Sequence, residues 1–255
     1  MEAARTAFYV NGFSAEDSVA LGVGKLLEFY GDFDCPSDSA KSAARMAGAF
    51  EFYFDNYPLD AINDPVIIAG GKRAIELSFA EPLPISHPVT GDPLLYCGRL
   101  DAILNFGGGR FITDEKTTTQ LGVSWSRQWD LRSQFTGYAW LAGKAGIKVD
   151  GALVRGVSIL KTKYDTQQAI SYRPQWMINE WYEEMLEHVD QMVSAYRRGK
   201  FLHNYDKSCA DYGGCQFKDV CSSSKEMANA VLDTYFERRK WDPLLRTEEK
   251  LDVSG

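Results

Sequence analysis

The chain has 255 residues, 45% hydrophobic and 25% charged, with a net charge of −7. That length supports a sizeable buried core, and the composition is that of a globular protein rather than a disordered or fibrous one. The acidic balance argues against a general nucleic-acid coat, which is ordinarily basic, but less against an enzyme whose bound cations offset its carboxylates. Local basic stretches, Lys161 to Lys163 and Arg197 to Lys200, read as solvated surface. No apolar run approaches the roughly 18 residues of a membrane span. The opening residues lack the basic-then-apolar order of a signal peptide, and the expected location is the cytoplasm.

In chain order, residues 15–30 have helical apolar spacing with Asp17 and Ser18 near the start. Residues 37–56 form a second helix, stopped at Tyr57-Pro58. Residues 65–81 are β-branched and apolar, interrupted by Gly70-Gly71, and predict one or two strands. Residues 82–93 contain Pro82, Pro84, Pro88 and Pro93 and predict a loop. Strands follow at 94–104 and 110–117, joined by a glycine-rich hairpin turn at 105–109. Residues 127–143 are helical, 149–161 form a strand or strand pair, and 175–198 form the longest helix, ended by Gly199. A last helix lies near 224–240, before a charged tail. The order predicts an α/β (mixed α+β) fold with a central mixed sheet flanked by helices. The expected division is a helical layer over 1–64, a core over 65–203 and a C-terminal segment over 204–255, forming one unit.

The hairpin carries the chemistry. Asp101 lies in GRLDAI, and Asp114, Glu115 and Lys116 lie in FITDEKT. Antiparallel pairing across the turn brings Asp101 near Asp114 and Lys116. Strand alternation puts Asp114 and Lys116 on one face and Glu115 on the other. Two carboxylates suit Mg²⁺ or Mn²⁺, with the backbone carbonyl of Glu115 as a further ligand. Such a metal activates water and polarises a phosphoryl oxygen, and a nearby lysine neutralises developing charge. A D-x-K triplet alone is more often a plain ion pair. Here the charges emerge from the apolar Leu100, Ile103, Leu104, Phe111 and Ile112, a setting in which charges need partners or a metal.

These residues resemble the PD-(D/E)XK nuclease superfamily, in particular its RecB-like branch of phage-type exonucleases and CRISPR-associated iron–sulfur nucleases. GRLDAI resembles the G-x-x-D strand, ITDEKTT the (D/E)-x-K strand, and Gln134 to Tyr138 the Q-x-x-x-Y helix. Glu76, in Ala74-Ile75-Glu76, resembles an upstream acidic position. The resemblance implies a restriction-endonuclease-like fold, metal binding by Asp101 and Asp114, a catalytic Lys116, and Gln134 and Tyr138 facing the site or DNA. Glu76 would be an additional ligand.

The resemblance extends to Cys209, Cys215 and Cys221, which are similar to cysteines that hold a [4Fe–4S] cluster in this branch. The fourth ligand would be Cys35, with Cys97 as the weaker alternative; zinc held with His203, or no bound metal at all, are the other readings of the three thiols. One departure stands out: the family's early histidine has no counterpart before His87.

The implied function is a metal-dependent deoxyribonuclease, specifically an exonuclease acting on single strands or duplex ends in repair, recombination, phage or CRISPR pathways. Its partners would be DNA, and either further copies of the chain or recombination or CRISPR proteins; no membrane is implied. The competing reading is a non-catalytic nucleic-acid-binding subunit with a degenerate nuclease fold.

Overall fold

A computed structural model describes residues 1–31, 39–203, 207–210 and 214–239. Three helices come first: α1 (Glu2–Tyr9), α2 (Ala15–Tyr30) and α3 (Ala43–Asn56). The Ser14 and Ser42 side chains cap α2 and α3 by accepting from the amides of Asp17 and Arg45, satisfying donors that lack a partner within the helix. Five strands follow: β1 (Ile75–Ser86), β2 (Pro93–Phe106), β3 (Gly109–Thr118), β4 (Gly151–Ile159) and β5 (Tyr164–Tyr172). Helices α4 (Val123–Arg127) and α5 (Ser133–Lys144) connect β3 to β4, and α6 (Gln175–Arg198) follows β5. Short helices α7 (Lys218–Cys221) and α8 (Lys225–Tyr235) complete the described chain.

The sheet order is β1-β2-β3-β4-β5, with every pair antiparallel except β3 and β4. The parallel pair requires a crossover, which α4 and α5 supply. Helices α5 and α6 cover one face through Leu141, Ala142, Ile178 and Met185, packed with Ile103 and Ile112 of the sheet. Helices α1 to α3 cover the other through Ala4, Phe50 and Tyr53, packed with Val157 and Ile159 of β4. β4 lies between both layers and is buried along its whole length.

Three sequence expectations change. Half of the predicted loop over 82–93 belongs to strands, since β1 runs to Ser86 and β2 begins at Pro93. β1 is an edge strand, where proline costs no central ladder bond, and its register shifts between Pro82 and Ser86. The strand β5 and the helix α1 had no counterpart in the sequence reading. The helix expected over 127–143 begins only at Ser133, as α5, and its first residues form the turn that follows the short α4.

α1 matters beyond its eight residues because it delivers a buried cation. Arg5, 3% exposed, pairs with Glu115 of β3, 11% exposed, and both residues bond to the Tyr53 hydroxyl. Arg155 lies beside Glu115 in the β3–β4 register and donates to Asn63 Oδ1 (2.5 Å) and Gln168 Oε1 (3.1 Å). Burial by itself would raise the Glu115 pKa, but the Arg5 charge and the Arg5 and Tyr53 hydrogen bonds hold it below the usual glutamate value. A depressed carboxylate contributes stability above its unfolded pKa and loses it as pH falls through the folded one. Replacing Arg5 by Met leaves Glu115 buried without a counter-charge. The expected loss is about 3–5 kcal/mol of unfolding free energy in urea titrations. Adding Glu115→Gln to the same chain should recover part of it, and an additive second loss would contradict this pairing.

Candidate metal and nuclease site

The two strands of the hairpin do not stay together. β2 and β3 pair from Phe106 and Gly109 down to Ala102 and Thr113, after which β3 continues to pair only with β4. Asp101 and Asp114 are the next residues on each side, so they stand where the sheet opens. Lys116 lies two residues further on, beside Gly156 of β4.

Plain alternation does not carry through β2. Leu100 and Ile103, three residues apart, both enter the core beneath α5 and α6. The slip coincides with Glu76 across the β1–β2 pairing. Ile75 faces Ala102 and Leu77 faces Leu100, and Glu76 between them has φ 52°. Among the described residues it is the one non-glycine with a left-handed backbone. Such irregularities re-aim side chains and cluster at functional positions. The Glu76 carboxylate accepts from Arg99 Nε at 2.8 Å.

On β3, Asp114 is buried and Lys116 half-buried, with Nζ 2.6 Å from Asp114 Oδ2. That oxygen nevertheless receives no well-directed hydrogen bond. Its partner Oδ1 accepts from Gln134 Nε2 at 3.3 Å, and the same amide lies 3.3 Å from the Tyr138 hydroxyl. Gln134 and Tyr138 thus share one face of α5, turned to the carboxylate. The close approach of α5 needs Gly98: a Cβ there would meet Leu141 at 2.6 Å and Tyr138 at 3.1 Å. The Glu115 side chain points away, into the Arg5 network described above, as alternation predicts.

The electrostatics describe a site with excess negative charge. The Asp101 carboxyl is pushed up to about 7 by burial and then by the charges of Glu115, Asp114 and Glu76, against the pull of Arg5. Burial also raises Asp114, although Lys116 and Gln134 oppose it. A divalent cation would remove this repulsion and occupy the open lone pairs of Asp114 Oδ2. Among the described residues no three His, Cys, Asp or Glu side chains are gathered into a full metal cage. Mg²⁺ commonly uses one or two carboxylates, with water and substrate phosphate completing its shell. Asp101, Asp114 and the Glu115 carbonyl fit that pattern, with Glu76 beside them.

The family model of the PD-(D/E)XK nuclease superfamily matches residues 53–222. The chain belongs to this superfamily. Its mixed sheet flanked by helices is the restriction-endonuclease-like fold. The solved structures include SSO0001, 14% identical, with 72% of this chain and 69% of that chain covered and a TM-score of 0.31; that likeness is too slight to bear on function. No curated protein matches. No helix among the described residues is long and apolar enough to cross a membrane.

The cysteine reading does not carry over in the same way. Cys209, Cys215 and Cys221 form no disulfide and no ligand group among the described residues. Cys35 lies outside the described residues, and Cys97 lies on β2, far along the chain from the other three. The described residues gather no cluster-binding site.

Sequence reasoning missed Arg5, Tyr53, Asn63 and Arg155, the polar network behind the D-x-K strand. One signal was available: Arg155 interrupts the apolar run of β4, and a charge in a central strand must find a partner.

The raised Asp101 pKa sets a test. A group raised from 3.8 to about 7 contributes stability below its unfolded pKa and loses it as pH rises through the folded value. Metal-free protein should therefore melt at falling temperature as pH climbs from about 4 through 7. Asp101→Asn should flatten that slope, and Mn²⁺ should restore the wild-type melting temperature at the alkaline end. Identical pH profiles for both proteins would show that Asp101 is not in this carboxylate cluster.

Proposed function

We propose that the chain is a divalent-metal-dependent deoxyribonuclease with Asp101, Asp114 and Lys116 as its reacting set. The observation that carries this is the juxtaposition of Lys116 with a buried Asp114, whose Oδ2 has the Lys116 ammonium as its neighbour and no further hydrogen bond, at the place where β2 leaves β3. Asp101, Asp114 and the Glu115 carbonyl would hold Mg²⁺ or Mn²⁺, with Glu76 as an outer carboxylate. When bound, the metal supplies Lewis-acid activation of water and of the phosphoryl group.

The chain's own groups do the rest. Lys116 is held by Asp114 and offers its ammonium to the charge that develops on the phosphate. Gln134 fixes the Asp114 rotamer through Oδ1 and is itself placed by Tyr138. The Arg5–Glu115 pair secures β3 from behind, so the side chains on its opposite face keep their aim.

The finer reading is an exonuclease acting on single strands or duplex ends, and it rests on the resemblance of the G-x-x-D, D-x-K and Q-x-x-x-Y motifs to the RecB-like branch. Labelled linear and covalently closed circular DNA, incubated with Mg²⁺ or Mn²⁺, test both levels. Loss of linear DNA with survival of circles supports an exonuclease; cutting of both retains a nuclease and removes the finer reading. Lys116→Ala or Asp114→Asn should lower the rate by about 10²–10³-fold, with the fold retained by circular dichroism. DNA left intact under all conditions, or cleavage that survives Lys116→Ala, would remove the catalytic assignment in favour of a binding subunit.

A further inference from the structure

We propose that Arg127 and Arg132, on the turn between α4 and α5, form a binding site for the phosphates of the DNA strand beside the cleavage site. This deepens the nuclease reading above and rests on it. The two arginines line an open pocket of about 590 Å³ together with Gln128, Asp130, Leu131 and Gln134. Gln134 is the link, because its amide reaches Asp114. A strand with one phosphate at Asp114 and Lys116 therefore passes this pocket on leaving the site.

The turn is built to present these side chains. Trp125 and Trp129 are buried and meet edge to face at 5.5 Å, with Phe135 packed on Trp129. Buried Arg173 donates to the Trp129 carbonyl at 2.8 Å and to Thr136 Oγ1 at 2.9 Å, tying the turn and the first part of α5 to the end of β5. With the tryptophans turned inward, Arg127, Leu131 and Arg132 are left outside, Leu131 at 81% exposure.

Six other arginines are held by partners within the chain. Arg5, Arg73 and Arg99 pair with carboxylates, and Arg45, Arg155 and Arg173 bond to buried or backbone groups. Arg127 and Arg132 have neither kind of partner among the described residues. Asp130 shares the pocket wall and also interacts electrostatically with Arg173. Two exposed guanidiniums on an anchored turn, in a protein of net charge −7, are free to take an anion, and the planar fork of arginine matches phosphate.

The test measures how binding of a fluorescein-labelled oligothymidylate depends on salt. Binding is read by anisotropy in Ca²⁺ on the Lys116→Ala background, so that the strand is not consumed. Each phosphate contact on a single strand contributes about 0.7 to the slope of log affinity against log salt. Arg127→Ala/Arg132→Ala should lower that slope by about 1.4. Raising salt fourfold should then cost the parent roughly sevenfold more affinity than it costs the double variant. Arg127→Lys/Arg132→Lys should keep the slope, because the charge remains. In the otherwise wild-type chain the alanine pair should raise KM for linear DNA with kcat nearly unchanged.

Both arginines are exposed, so the melting temperature should not move. A double-alanine variant with the parental slope and affinity overturns this site and leaves the nuclease reading standing. A parent that binds neither this oligonucleotide nor a labelled duplex of the same length at low salt overturns both.

Discussion

The structure turns on a buried ion pair that touches no substrate. Arg5 of α1 meets Glu115 of β3 underneath the sheet, and Tyr53 of α3 closes the contact. Burying two charges is costly unless each finds its partner in good geometry. This requirement fixes where the first helix docks and how β3 is held. The residues on either side of Glu115 are Asp114 and Lys116, so the same strand that is anchored on one face presents the acid and the lysine on the other. Packing and chemistry share three consecutive residues.

The second constraint is the opening of the sheet. A hairpin kept closed to its end would bury Asp101 and Asp114 against each other with no room for a cation or a phosphate. Instead β2 follows β1 away from β3 at that point, and the left-handed Glu76 absorbs the slip in alternation. The result is a partly buried group of carboxylates in which burial first, and mutual repulsion second, lift the Asp101 pKa. A divalent cation relieves that repulsion, so metal affinity and local strain are two aspects of one arrangement. Gly98 permits α5 to lie close enough for Gln134 to reach Asp114.

α5 also connects the reacting groups to the proposed strand contact. Its first turn carries Gln134 toward Asp114, and the preceding turn carries Arg127 and Arg132 outward. Arg173 and the tryptophan pair anchor that turn from beneath. The positions of a cleaved phosphate and of its neighbours along the strand would thus be set by one packed unit rather than by a free loop.

Much of this was legible in the sequence. The spans of α2 and α6 follow from caps and apolar periodicity, and the β2–β3 hairpin follows from its glycine turn and flanking apolar residues. The order of Asp101, Asp114, Lys116, Gln134 and Tyr138 is a local pattern, readable because each motif lies within one element. Other features depended on partners distant in the chain. Edge position decides whether the prolines of residues 82–93 break a strand, and it is a property of the sheet. α1 is short and helix formation is cooperative, so its stability comes from docking Arg5 against a residue 110 positions away. The slip at Glu76, the opening of β2 from β3 and the burial of Arg155 are likewise decisions of the assembled sheet. The sequence by itself determined which chemical groups were present and on which elements. Only the tertiary structure decided which were pinned in pairs and which were left open to a metal or a phosphate, because pairing energies act through space between segments that no local pattern relates.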